Sequence, residues 1–154
     1  MGPKYDVASV LERETRTTIS NWYWLVEAEP SLTCIPMSQE NRCAHLPGMF
    51  SDLVKRLNNP LPLGTRAHKS PAAILHGKLR REQGYTATMI VEESRVLQVS
   101  IFQTLQLHVE ETEPGVLLLY VMMIADEVDS QLAQTMAGFS SGVTSASEPE
   151  QIAS

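Results

Sequence analysis

Residues 86–94 read TATMIVEES, a run of β-branched and apolar side chains that passes for a strand when taken alone. The residues after it decide the fold class. Val96, Leu97, Ile101 and Leu107 continue from Met89 and Ile90 at helical spacing, so the segment belongs to a helix over residues 86–111, capped by Thr86. No other segment shows sustained alternation between turn signals. The chain is therefore expected to be all-α, an antiparallel helical bundle of about five helices.

Immediately before this helix stands HGKLRREQGY, residues 76–85. Ser70 followed by Pro71 marks the start of its helix and Gly84 the end, giving a helix over residues 71–84. At about 100° per residue, His76, Arg80 and Gln83 share one sector beside Ala72, Leu75 and Leu79, while Lys78 and Arg81 point toward solvent. A glycine inside a helix costs roughly 1 kcal/mol relative to alanine, so Gly77 is expected to admit a closely packed neighbour. On the helix after it, Glu93, Ser100 and Thr104 lie near the middle of the apolar sector. A carboxylate there is expensive to bury alone. Arg80 or His76 is its natural partner, because a tight turn at Gly84 and Tyr85 folds the two helices together. Two readings of Arg80 and Glu93 stay open: a buried ion pair that fixes helix register, and a ligand or catalytic site.

Outward from this pair, residues 6–28 place Leu11, Thr15, Thr18, Ile19, Trp22, Leu25 and Val26 on one helical face. PSLTCIPMS then reads as a loop. A second helix begins in SQENRCAH and continues through Leu57, with Leu46, Phe50, Leu53, Val54 and Leu57 inward and Pro47 kinking it or starting a new turn. NNPLPLGTRAHKS, residues 58–70, is the longest linker. A fifth helix opens at Pro114 and fades near Gly138. Its first part, VLLLYVMMIA, is apolar all round, so it needs cover from the fold or from another subunit. Self-association through Leu119, Tyr120, Met122 and Met123 is expected. Asp126 continues the column of Leu119 and Met122, and either partial burial or emergence into solvent suits it. Residues 1–139 form the domain, and residues 140–154, small and polar, a disordered tail.

Composition narrows the function. The chain has 154 residues, 43% of them hydrophobic, and a formal net charge of −6. Nucleic acid or an anionic membrane surface would need a local basic patch, and the nearest candidate, KLRR at residues 78–81, is interrupted by Glu82. VLLLYVMMIA is far shorter than the roughly 20 residues that span a bilayer. The N-terminal MGPKYD lacks the apolar core of a signal peptide, so a cytoplasmic location is expected. Cys34 and Cys43, without CxxC spacing, are expected as free thiols. His45, His68, His76 and His108 form no HxxxH or HExxH pair, and there is no GxSxG element, P-loop or GxGxxG turn. No metal, cofactor or catalytic residue is expected. HGKLR resembles the H-x-x-L-R core of a histidine-kinase phosphoacceptor helix, but Gly77 stands where that motif has an acid and no Thr-Pro comes after it.

HLPGMFSDLVKRL, HGKLRREQGYTATMIVEESRVLQ and IADEVDSQLAQ, in this order, resemble the RsbRD-type N-terminal domain of RsbT co-antagonist proteins, with HG-x-LR-x-x-QG the most specific element. The resemblance covers about residues 11–139. It implies a bacterial signalling-input module in stress response, loosely globin-like and without haem, that acts by protein contact rather than catalysis. Partners would be a signalling protein such as a kinase, phosphatase or STAS-type protein, together with a homo-oligomer. His45, His76, Gly77, Arg80, Gln83, Gly84, Tyr85 and Glu93 match the family's motif, and of these His45, His76, Arg80, Gln83, Tyr85 and Glu93 are candidate ligand or signalling contacts. The family's output module is missing here, so the chain is expected to be either a free-standing module or the input domain of a longer protein, and the polar tail favours the first. Two alternatives remain: a sensor that binds a haem or an anion between the third and fourth helices, and a phosphotransfer protein using His76.

Overall fold

The computed structural model describes residues 6–59, 61–65 and 69–146, with residues 142–146 described by their backbone alone. Among these residues there are helices and no strands. The helix expected over residues 6–28 divides at Glu14 into α1 (Val7–Arg13) and α2 (Thr15–Glu27). Asp6 caps α1 by accepting a hydrogen bond from the Ser9 amide. The break changes the phase of the apolar stripe, so Trp22 and Val26 are buried but Leu25 is exposed. PSLTCIPMS contains a short helix, α3 (Pro30–Thr33), which Glu29 caps. The second expected helix is two pieces, α4 (Gln39–Cys43) and α5 (Leu46–Asn58), because Pro47 starts a new helix rather than kinking an old one. All of its anticipated inward residues, Leu46, Phe50, Leu53, Val54 and Leu57, are buried.

Ser70 caps α6 (Pro71–Glu82) by accepting from the Ala73 amide. At its end the Tyr85 amide donates to the Arg80 carbonyl at 3.0 Å and the Gly84 amide to that of Arg81 at 3.1 Å. This is a Schellman closure, and Gly84 takes the left-handed conformation it needs, with φ of 90°. Thr86 then caps α7 (Ala87–Leu107), accepting from Met89. Within α7, Met89, Ile90, Val96, Leu97 and Ile101 are buried as expected, with Glu93, Ser100 and Thr104 among them. Leu107, assigned to the same sector, is instead 77% exposed, because the chain leaves the helix there through a 3-10 turn at Val109–Glu111. Leu75 of α6 is likewise exposed, and Arg81 lies over the Phe139 ring at 4.9 Å rather than in open solvent.

The last helix, α8 (Pro114–Ala146), is longer than expected. Its backbone stays helical through residues 140–146, which corrects the start of the tail; residues 147–154, like His68, lie outside the described residues. The closest packing in the molecule joins α6 to α8. A Cβ on Gly77 would stand 1.9 Å from the Thr135 carbonyl oxygen, and one on Gly138 would stand 2.1 Å from that of Ile74. Each helix thus lays bare backbone against the other. By contrast, α6 and α7 share few close backbone approaches and are joined by side chains. The core lies between α1, α2, α5, α7 and α8, with Leu11, Trp22, Phe50, Ile101 and Ile124 fully enclosed. Each such side chain contributes about 1.5–3 kcal/mol on burial. No helix among the described residues is long and apolar enough to cross a membrane.

Candidate functional site: a buried polar cluster around Glu93

The Schellman turn and the Thr86 cap bring the last turns of α6 over the first turns of α7, which sets Arg80 and His76 against Glu93. Arg80 is fully buried and Glu93 is 4% exposed. The Nε of Arg80 lies 3.0 Å from Glu93 Oε1 and donates its aligned hydrogen bond to Oε2 at 3.2 Å. Its Nη1 donates to Gln83 Oε1 at 2.7 Å, and its Nη2 to the Arg42 carbonyl at 2.6 Å. His76 Nε2 is 3.5 Å from Glu93 Oε2. Burial by itself would raise the Glu93 carboxyl. Contact with His76 and the charge of Arg80 outweigh it, and the carboxyl is held below its ordinary value.

Further side chains close around this pair. The guanidinium of Arg80 sits 4.8 Å from the centre of the Tyr85 ring. Arg42 donates to the Tyr85 hydroxyl at 2.7 Å and to the Ile35 carbonyl at 3.0 Å, and its Nε is 3.3 Å from Glu27. Burial and the nearby Glu93 carboxylate push the Tyr85 hydroxyl well above its usual range, so it stays neutral. The His45 ring meets that of His76 edge-on at 5.9 Å. Burial, with His76 and Arg80 nearby, lowers its pKa and favours the neutral imidazole. Trp22 donates its indole N–H to the Glu93 carbonyl at 3.2 Å, and Thr18 and Thr104 share a hydrogen bond of 2.6 Å, so α2 is tied to the same stretch of α7.

All six candidate contacts, His45, His76, Arg80, Gln83, Tyr85 and Glu93, therefore fall in or beside one network. The space left within it is small. A cavity of about 20 Å³ opens beside His76, Glu93, Gln131 and Thr135, room for a single water. A haem at that point would require the helices to part, and an anion would compete with Glu93 for Arg80. His76 is 6% exposed, too enclosed a position for accepting a phosphoryl group. Among the described residues no group of His, Cys, Asp or Glu side chains is arranged to hold a metal. Cys34 and Cys43 are free thiols.

Arg42, Arg56 and Glu127 are buried charged residues that the sequence expectations did not single out. Arg42 sits on a helix too short for periodicity to reveal its inward face. Glu127 does carry a signal, since it stands at helical spacing from Met123, Ile124 and Gln131, all buried. The apolar start of α8 divides more sharply than its composition suggests. Leu119 and Met122 are exposed, joined by Val116 and Leu118, while Tyr120 is half-buried against the core. Met123, expected to face another subunit, is 4% exposed and belongs to the core instead. Asp126 is half-buried beside Arg56. Comparison with known protein families, curated proteins and solved structures finds no match to this chain.

Proposed function

We propose that this chain is a non-catalytic regulatory module, a signalling-input domain of the RsbRD N-terminal type with a globin-like antiparallel bundle, acting by protein contact in a bacterial cytoplasm. The observation that carries the reading is the contrast between its polar and apolar surfaces. The charged residues matching the family's motif are buried and engaged with one another, in a space that admits little more than water. Large apolar side chains, meanwhile, stand in solvent at the start of α8: Leu118 is 70% exposed, Leu119 52% and Met122 46%. Leu107 and Val109, just before that helix in the chain, are exposed as well. Large apolar side chains left in solvent on one stretch of helix are what a contact site presents.

On this reading the polar cluster holds α6 and α7 in register, and the start of α8 meets a second copy of the chain or a kinase, phosphatase or STAS-type partner. Hydrogen exchange measured at low and high protein concentration tests it. Protection over residues 114–122 should rise with concentration while the rest of the chain is unchanged. Exchange in that segment independent of concentration would count against self-association.

A further inference from the structure

Charge is distributed unevenly along this chain. All 12 of its Lys and Arg residues lie before position 96, whereas Glu110, Glu111, Glu113, Asp126, Glu127 and Asp129 bracket the apolar start of α8 in sequence. At about 100° per residue in an ideal helix, Leu118, Leu119, Met122, Asp126 and Asp129 share one side of α8. All of these except the half-buried Asp126 are exposed. The apolar stripe therefore runs into carboxylates at its C-terminal end. Before its other end, Glu110 is exposed in the turn that leads into the helix. Glu111 is engaged by Arg13 and His108, and Asp126 lies 3.7 Å from Arg56. Glu110 and Asp129 give the two ends of the stripe the same negative sign.

Resting on the reading that this stretch of α8 is a contact surface, we propose that its occupant is a cationic amphipathic helix of a partner protein, apolar along one side and carrying Lys or Arg at both ends of that side. The apolar side seats on Leu118, Leu119 and Met122, and the cations meet Glu110 and Asp129. From Leu118 to Asp129 the stripe is about 17 Å long, so a partner segment of three to four turns covers it. A second copy of this chain is the weaker occupant. Paired with itself antiparallel, the stripe brings the acidic lead-in of one copy toward Asp126 and Asp129 of the other; paired parallel, it sets each acid beside its own counterpart. Like charges approach in both arrangements, which confines self-association to high protein concentration and lets a cationic helix displace it.

The test is fluorescence anisotropy with two synthetic helical peptides of about 14 residues, alike in their leucine face, one with Lys on its flanks and the other with Gln in the same places. At low salt the Lys peptide should bind about tenfold tighter, the scale of two exposed ion pairs, and the gap should close as added salt screens it. Asp129→Asn combined with Glu110→Gln should remove most of the gap. Leu118→Gln combined with Leu119→Gln should abolish binding of both peptides, and hydrogen exchange of wild type with the Lys peptide should show protection over residues 114–122. Equal affinity for the two peptides, with both lost in the leucine variant, would overturn the cationic partner and leave the contact surface standing. So would a wild type that self-associates yet binds neither peptide, which assigns the stripe to a second copy. Binding that survives the leucine variant, or protection only elsewhere in the chain, would place the peptide on another site and overturn the proposal. A chain that neither self-associates nor binds either peptide would take the underlying reading with it. If the leucine variant does not fold, the exchange footprint in wild type decides.

Discussion

Replacing Gly77 by alanine sets two effects against each other, and the structure says which wins. By helix propensity the change should stabilise, since glycine in a helix interior is about 1 kcal/mol worse than alanine. By packing it should not. The new Cβ would lie 1.9 Å from the Thr135 carbonyl oxygen, 2.8 Å from its carbon and 2.9 Å from the Phe139 nitrogen. All three are backbone atoms of α8, so no rotamer change relieves the clash, and α6 and α8 must move apart along much of their contact. Overpacking a well-packed interface costs typically 1–3 kcal/mol, and a backbone obstacle belongs at or above the upper end. The net effect is a loss of about 2 kcal/mol, or a fall in thermal midpoint of about 4–8 °C for a domain of this size. Gly138→Ala should behave alike, against Ile74. The two losses should fall short of additive in the double variant, because the first separation relieves the second clash. Calorimetry of the four proteins measures this directly. A Gly77→Ala protein that melts at or above wild type would refute the close approach.

The other predictions concern the cluster around Glu93. Arg80→Ala strands a buried carboxylate and should cost on the order of 3–5 kcal/mol in urea unfolding, with part of that recovered when Glu93→Gln is added; strictly additive losses would remove the pairing. Because the Glu93 carboxyl is held below its ordinary value of 4.5, its contribution is complete above that pH and lost as pH falls through the folded-state value. Wild type should therefore lose stability in acid more steeply than Glu93→Gln, and identical acid limbs would contradict the assignment. His76→Gln should leave the far-ultraviolet circular dichroism unchanged, since the amide can still donate to Glu93 from the same face of α6.

Helix starts and stops are legible in the sequence because they depend on a few local residues. Ser70 with Pro71, Gly84 and Thr86 sit where the sequence puts them, and with them the geometry that sets Arg80 against Glu93. The breaks are harder to read. Nothing in the stripe of residues 6–28 reports the division at Glu14, which depends on how α1 and α2 pack against α5 and α7. Gly77 announces a close neighbour but not which one. That neighbour is α8, far along the chain, and the matching glycine at position 138 gains its meaning only from the contact. Arg42 and the backbone carbonyls that Arg56 and Arg80 use are invisible for a related reason, since hydrogen bonds to backbone leave no mark on side-chain periodicity. The same applies to Leu107 and Met123, whose apolar character alone does not say that one faces water and the other the core.

If this chain works through an exposed apolar surface at the start of α8, sedimentation equilibrium of wild type and Leu119→Glu tests that role most directly. Leu119 is half in solvent, so the substitution should be tolerated by the monomer and leave its helical content and thermal midpoint close to wild type. Wild type should sediment as a dimer or larger species, and the variant as a folded monomer. Wild type that remains monomeric at high concentration, or a variant that unfolds, would contradict the assignment.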